Sequence, residues 1–148
     1  MSHNDVYYMN KALDNARIAY SQDEVPVGCV IVYKGEIIAE SYNRKNLENI
    51  ATYHAEILAI EDACRKLNSW YLDECILYTT VEHCMMCTVA IIQSRIKRVV
   101  YGTRNEAFGY LSKLDNSNSS SNPNSKSNFI PFFLLGLIKI FSNSDFFL

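Results

Sequence analysis

The residues of this sequence whose types and spacing could do chemistry are His54-Ala55-Glu56 and, thirty residues after His54, Cys84-Met85-Met86-Cys87. A helix that starts near Cys84 carries both sulfurs on one face, about a turn apart. Its first-turn N–H groups and dipole favour thiolate there. Two thiolates and an imidazole supply three ligands of a tetrahedral zinc ion (Zn2+) and leave the fourth place for water, as in a catalytic site. His54, Cys84 and Cys87 are therefore the expected metal ligands. Glu56 cannot ligate beside His54 on a regular helix, because i and i+2 point apart, but it can reach a water there if His54 lies at the helix entry. Its i+3 and i+4 neighbours, Ala59 and Ile60, offer no ion pair. Glu56 is the expected catalytic proton carrier, and the reaction class is hydrolytic deamination at an amidine-like carbon. Alone, Cys-x-x-Cys also reads as a structural zinc site or a redox dithiol. Specificity comes from the two motifs together, each at a helix start.

The elements that must position these residues follow from periodicity. Residues 5–21 have helical apolar spacing through Val6, Met9, Leu13, Ala16 and Tyr20. Val27–Tyr33, a Lys34-Gly35 turn and Glu36–Ser41 read as a hairpin, followed by a polar loop over 42–52. His54–Leu67 and Cys84–Ser94 are helical, while Cys75–Thr80 and Arg98–Tyr101 are strands. Strands alternating with helices predict an α/β sandwich whose parallel strands are joined by crossovers.

The 148 residues are 49% apolar and 20% charged, enough for one core and incompatible with a fully disordered chain. Five cysteines and no basic-then-apolar N-terminal run argue against a disulfide framework and a secretory signal, so an intracellular protein is expected. No stretch reaches eighteen uninterrupted apolar residues, which argues against membrane insertion. Residues 1–92 carry 7 Lys/Arg against 13 Asp/Glu, whereas residues 93–148 carry 7 against 3. The local excess from Arg95 to Lys113 could meet phosphates or be a solvated face. Three segments result: a domain over 1–115 that carries the candidate zinc site, an insertion over 116–128 with eleven Asn or Ser out of thirteen, expected to be disordered, and an apolar segment over 129–148. Within the last, 129–141 is read as a terminal element packing on the sheet, with a membrane-surface or partner-binding role as the alternative.

The motif set His-x-Glu with a later Cys-x-x-Cys is that of the zinc base deaminases. Asp23–Cys29, Asn43, Ala51–Glu56, Leu77–Cys87 and Val99–Gly102 resemble the tRNA adenosine deaminases that convert wobble adenosine to inosine. Asn105-Glu106-Ala107-Phe108-Gly109 is similar to a stretch of the eukaryotic catalytic subunit, and Ser94-Arg95-Ile96 to the bacterial homodimeric enzyme. The resemblance spans about residues 5–112. It implies a three-layer α-β-α, cytidine deaminase-like fold with a mixed sheet flanked by helices. It implies zinc on His54, Cys84 and Cys87, proton transfer by Glu56, a hydrogen bond from Asn43 to a flipped base, and Val27 and Val81 flanking that base. It also implies a tRNA anticodon arm as substrate and a homodimer or a heterodimer with a related subunit. The compartment implied is the cytoplasm, or the nucleus as well in a eukaryote.

Several positions depart from that pattern. His83 stands where the family has proline, either as a tolerated change or as a competitor for the metal. Ile50 replaces a short polar residue, Thr88-Val89 replaces a small pair, and the chain stops just after Phe146-Phe147. Two other functions stay open: a deaminase of free bases or nucleosides (guanine, cytosine or cytidine), and a zinc-bound subunit without turnover.

Overall fold

The computed structural model describes residues 3–110 and 129–131. The insertion 116–128, the end of the 1–115 segment and the rest of the apolar tail lie outside the described residues.

Strand β1 (Gly28–Tyr33) and strand β2 (Glu36–Tyr42) form the expected hairpin. Its turn residues, Lys34 and Gly35, have φ of 49° and 82°. Positive φ at both central positions lets a two-residue turn match the twist of the strands. On its other side β1 pairs antiparallel with β3 (Cys75–Val81). Strand β4 (Arg98–Thr103) is parallel to β3, and β5 (Phe129–Pro131) is parallel to β4, giving the order β2-β1-β3-β4-β5. The start of the apolar segment 129–141 thus joins the sheet. Its Pro131 sits on the outermost strand, where a missing N–H is tolerated.

The sheet is mixed, as the resemblance implies: the hairpin and the β1–β3 pair are antiparallel, and β3–β4 and β4–β5 are parallel. The reason is the hairpin. It reverses the chain, so β2 and β3 run the same way with β1 between them, and the crossover expectation holds for those two strands and for β3–β4.

Helix α1 (His3–Ser21) covers one face of the sheet. Tyr8, Met9 and Ala12 meet Val30 and Val32 of β1, Tyr78 of β3 and Val100 of β4. Helices α2 (Ala55–Leu67) and α3 (Met85–Gln93) cover the other. There Ala55, Ala59, Ala63 and Ile91 pack with Cys29, Ile31, Cys75, Leu77 and Val99. Consecutive strand residues face opposite ways, so the unbroken apolar run of β1 feeds both cores.

Asp5 of α1 ties the layers together. Its carboxylate receives Arg98 through two N–H groups at 2.9 Å each and the Tyr78 hydroxyl at 2.7 Å. All five cysteines are free thiols. No helix among the described residues is long and apolar enough to cross a membrane.

Because β2 and β3 run the same way, the helices that follow them, α2 and α3, both begin at the same end of the sheet. That is where the candidate chemistry lies.

Candidate active site

His54 is the N-cap of α2 and Cys84 the N-cap of α3, both in extended backbone (φ −78°, ψ 151° and φ −75°, ψ 175°). Their carbonyls accept the first helical bonds, from Leu58 N at 3.1 Å and Thr88 N at 2.9 Å. No side chain caps either helix, so the free N–H groups of both first turns leave positive potential for anionic sulfur. His54 therefore does sit at a helix entry, off the helical path, and Glu56 in the first turn is not opposed to it.

The His54 Nδ1 atom lies 3.7 Å from Cys84 Sγ and 3.6 Å from Cys87 Sγ, and the three ligand atoms all fall within 4.8 Å of one another. A tetrahedral ion with bonds of about 2.1 Å to nitrogen and about 2.3 Å to sulfur sets those atoms about 3.6 Å apart. The donor set and its spacing fit a thiophilic metal ion. His83, the neighbouring imidazole, is not one of the three.

Glu56 is 3% exposed. Its Oε1 accepts the Thr79 hydroxyl at 3.3 Å, and its Oε2 lies 3.6 Å from Cys87 Sγ. Burial raises its carboxyl above the usual range. Bonds from Cys87 and His54 push the Cys84 thiol down to about 3, while that same Cys84 contact, with burial, pushes Cys87 up. The sulfur of Cys84 raises the His54 imidazole.

A family model, the MafB19-like deaminase, matches residues 2–137. The chain belongs to this deaminase family. The deaminase is 44% identical over 103 residues to the tRNA-specific adenosine deaminase of Aquifex aeolicus (strain VF5), a match covering 70% of this chain and 68% of that one. It is 48% identical over 103 residues to the enzyme of the same description from Rickettsia bellii (strain RML369-C), covering 68% and 71%. Among solved structures, a tRNA:A34 deaminase acting in A-to-I editing at the wobble position superposes with a TM-score of 0.73 at 35% identity, covering 85% of this chain and 91% of that one. Guanine deaminase from Bacillus subtilis superposes with a TM-score of 0.67 at 32% identity, covering 96% and 90%. These matches agree with the fold implied by the sequence resemblance.

The remaining expected residues of the deaminase lie around the same end. Val27 immediately precedes β1 and packs against the core on the side of α2 and α3, and Val81 ends β3 two residues after Thr79, on the same strand face. Asn43 is buried and closes an Asx turn: its Oδ1 accepts Lys45 N at 3.2 Å, and its Nδ2 donates to Val25 O at 3.4 Å. One amide hydrogen and one oxygen lone pair remain for a ligand. The loop 43–53 is held at both ends. Arg44 N donates to Tyr53 O at 3.1 Å, and the buried Glu24 carboxylate accepts Leu47 N.

His83 is 1% exposed, its ring edge-on to Tyr101 with centroids 6.4 Å apart, and burial lowers its imidazole to about 4. It packs as a neutral aromatic ring. Thr88 fits its place by donating its hydroxyl to Cys84 O at 2.8 Å.

Two residues escaped the sequence reading. Thr79 holds Glu56, and its signal is the pair of buried hydroxyl residues, Thr79 and Thr80, near the end of an apolar strand. Glu82 is 1% exposed and accepts Asn105 N at 3.1 Å, organising the loop after β4. A carboxylate in a strand-to-helix junction carries no such signal until the loop is folded over it.

Proposed function

We propose that this deaminase hydrolyses the wobble adenosine of a tRNA anticodon arm to inosine, with zinc held by His54, Cys84 and Cys87. The observation that carries the reading is the buried Glu56 carboxylate beside three donors spaced for a tetrahedral ion. A bound zinc ion supplies Lewis acidity that makes water at its open position nucleophilic near neutral pH.

The chain's own residues do the rest. Glu56 takes the water proton and delivers it to the adenine ring nitrogen, then moves a proton to the departing amine, so that adenosine and water become inosine and ammonia. The Thr79 hydroxyl bonds that carboxylate, and burial raises its proton affinity, which suits a group that must both accept and release. Asn43 offers its spare amide hydrogen and lone pair to the base edge, while Val27 and Val81 bound the base on the sheet side. The identity to two tRNA-specific adenosine deaminases and the tRNA:A34 deaminase superposition support RNA over a free base. The compartment proposed is that of the substrate, the cytoplasm.

A second deaminase subunit, identical or related, is the proposed protein partner. Met85, Val89 and Ile92 are 60%, 55% and 58% exposed and form one stripe on α3 at i, i+4, i+7 spacing. The stripe starts beside Cys84, so a subunit covering it borders the site.

The test is zinc-loaded protein with an anticodon arm bearing wobble adenosine, read by nucleoside mass spectrometry, beside Glu56→Ala and a panel of free bases and nucleosides. Inosine from the arm, reduced at least about 1,000-fold by Glu56→Ala, is the expected result. Turnover of a free base alone would move the assignment to a base deaminase. Unchanged inosine formation by Glu56→Ala would remove the proton-carrier role.

A further inference from the structure

Resting on the RNA reading above, we propose that Phe108 is a stacking platform for a nucleobase flanking the reacting adenosine. Phe108 is 73% exposed, more than any other large apolar side chain among the described residues. Single exposed apolar residues are common, so exposure alone decides nothing. The mounting does.

Glu82, buried at the end of β3, accepts Asn105 N, while Asn105 accepts Phe108 N on its side-chain oxygen at 3.0 Å and Gly109 N on its carbonyl at 2.7 Å. Gly109 then makes an isolated antiparallel backbone bridge to Cys84 itself. A Cβ at Gly109 would meet Asn105 O at 2.4 Å and the Glu82 carboxylate at 2.5 Å, so the approach demands glycine. Paired Cα atoms in such a bridge are about 5 Å apart and consecutive ones about 3.8 Å. The Phe108 backbone is thus within about 9 Å of Cys84, and its ring is presented to solvent from a hydrogen-bonded loop paired to the N-cap of α3.

An enzyme that reacts at one base of an RNA loop must take that base out of its stack, which strips both neighbours of a stacking partner. An aromatic face beside the site replaces the lost contact, and it does so for any base because every base has a π-face. A free purine has no neighbour to stack. The ring therefore favours RNA over free bases without touching the reacting atoms.

Two readouts test this with zinc-loaded full chain. The first places 2-aminopurine at each flanking position of the arm in turn and uses a Glu56→Ala background to hold the RNA unreacted. Quenching on binding is expected at one position, lost with Phe108→Ala and kept with Phe108→Tyr. The second measures kcat/KM with Glu56 intact. Phe108→Ala is expected to lose about 5- to 150-fold on the arm, and an abasic site at the same flanking position is expected to cause no further loss. Zinc content and urea midpoint stay at parent values.

Equal quenching with Phe108→Ala, no quenching in the Glu56→Ala parent, fully additive losses, or subunit dissociation caused by Phe108→Ala would each overturn the stacking role. If the unsubstituted enzyme forms no inosine, the adenosine reading fails, and the quenching still reports separately on the ring.

Discussion

At the residue scale the site is a balance of charge and burial. Glu56 and His83 are buried to the same degree within a few residues of the metal donors, with opposite uses. Glu56 is buried with an acceptor role and a raised proton affinity, ready to carry a proton. His83 is buried neutral, its imidazole held near 4. The unfolded chain leaves His83 near 6.5, so between those values the unfolded state binds the extra proton. This contribution to stability is complete above about pH 6.5 and is lost as pH falls toward 4, with a ceiling of about 3 kcal/mol. Urea unfolding of metal-free protein across pH 7 to 4 is expected to show it, and His83→Asn is expected to remove that part of the slope. An unchanged slope in the variant would mean that His83 is not buried as a neutral ring.

At the element scale the fit of α1 against the sheet depends on a glycine. Gly28 opens β1, and its N–H donates to the Thr80 hydroxyl at 3.1 Å. A Cβ there would meet Ala12 O at 1.9 Å and Ala16 N at 2.5 Å, both backbone atoms of α1. A rigid helix backbone cannot move aside as a side chain can. Gly28→Ala is expected to cost about 3 kcal/mol through displacement of α1, measured as a lowered urea midpoint. A midpoint at the parent value would show that α1 can slide. The hairpin, the helices and the strands at these places were legible in residue types: Lys34-Gly35 for the turn, β-branched runs for the strands, apolar spacing for the helices. The contact of Gly28 with α1 was not, since nothing local distinguishes a glycine needed for close approach from one at a strand start.

At the scale of the whole molecule, one sheet end gathers the chemistry and one helix face is left open beside it. Covering the stripe of Met85, Val89 and Ile92 with a second subunit removes apolar surface from water. Val89→Glu places a charge at its centre and is expected to convert the proposed two-subunit assembly to monomer, measured by sedimentation velocity. Val89→Ala should leave the assembly intact. A Val89→Glu protein that sediments like the parent would place the subunit contact elsewhere.

The candidate site residues, three metal donors and one carboxylate, were legible in residue types and spacing. His54, Glu56, Cys84 and Cys87 were identifiable because imidazole, carboxylate and paired thiolates have few joint uses, and because each motif falls at a predicted helix start. The sequence also determined most of the elements, whose apolar periodicities are local. The pairing of β1 with β3 was not local, and it came with folding. The β1–β2 hairpin sets β2 and β3 parallel across β1, so α2 and α3 start at the same end and their N-caps meet over a separation of thirty residues. The tertiary structure also decided which polar residues support the donors. Thr79 reaches Glu56 from a neighbouring strand, and Glu82 holds a loop twenty-three residues further on. Such contacts are non-local, and a side chain's type does not name the partner that folding brings to it.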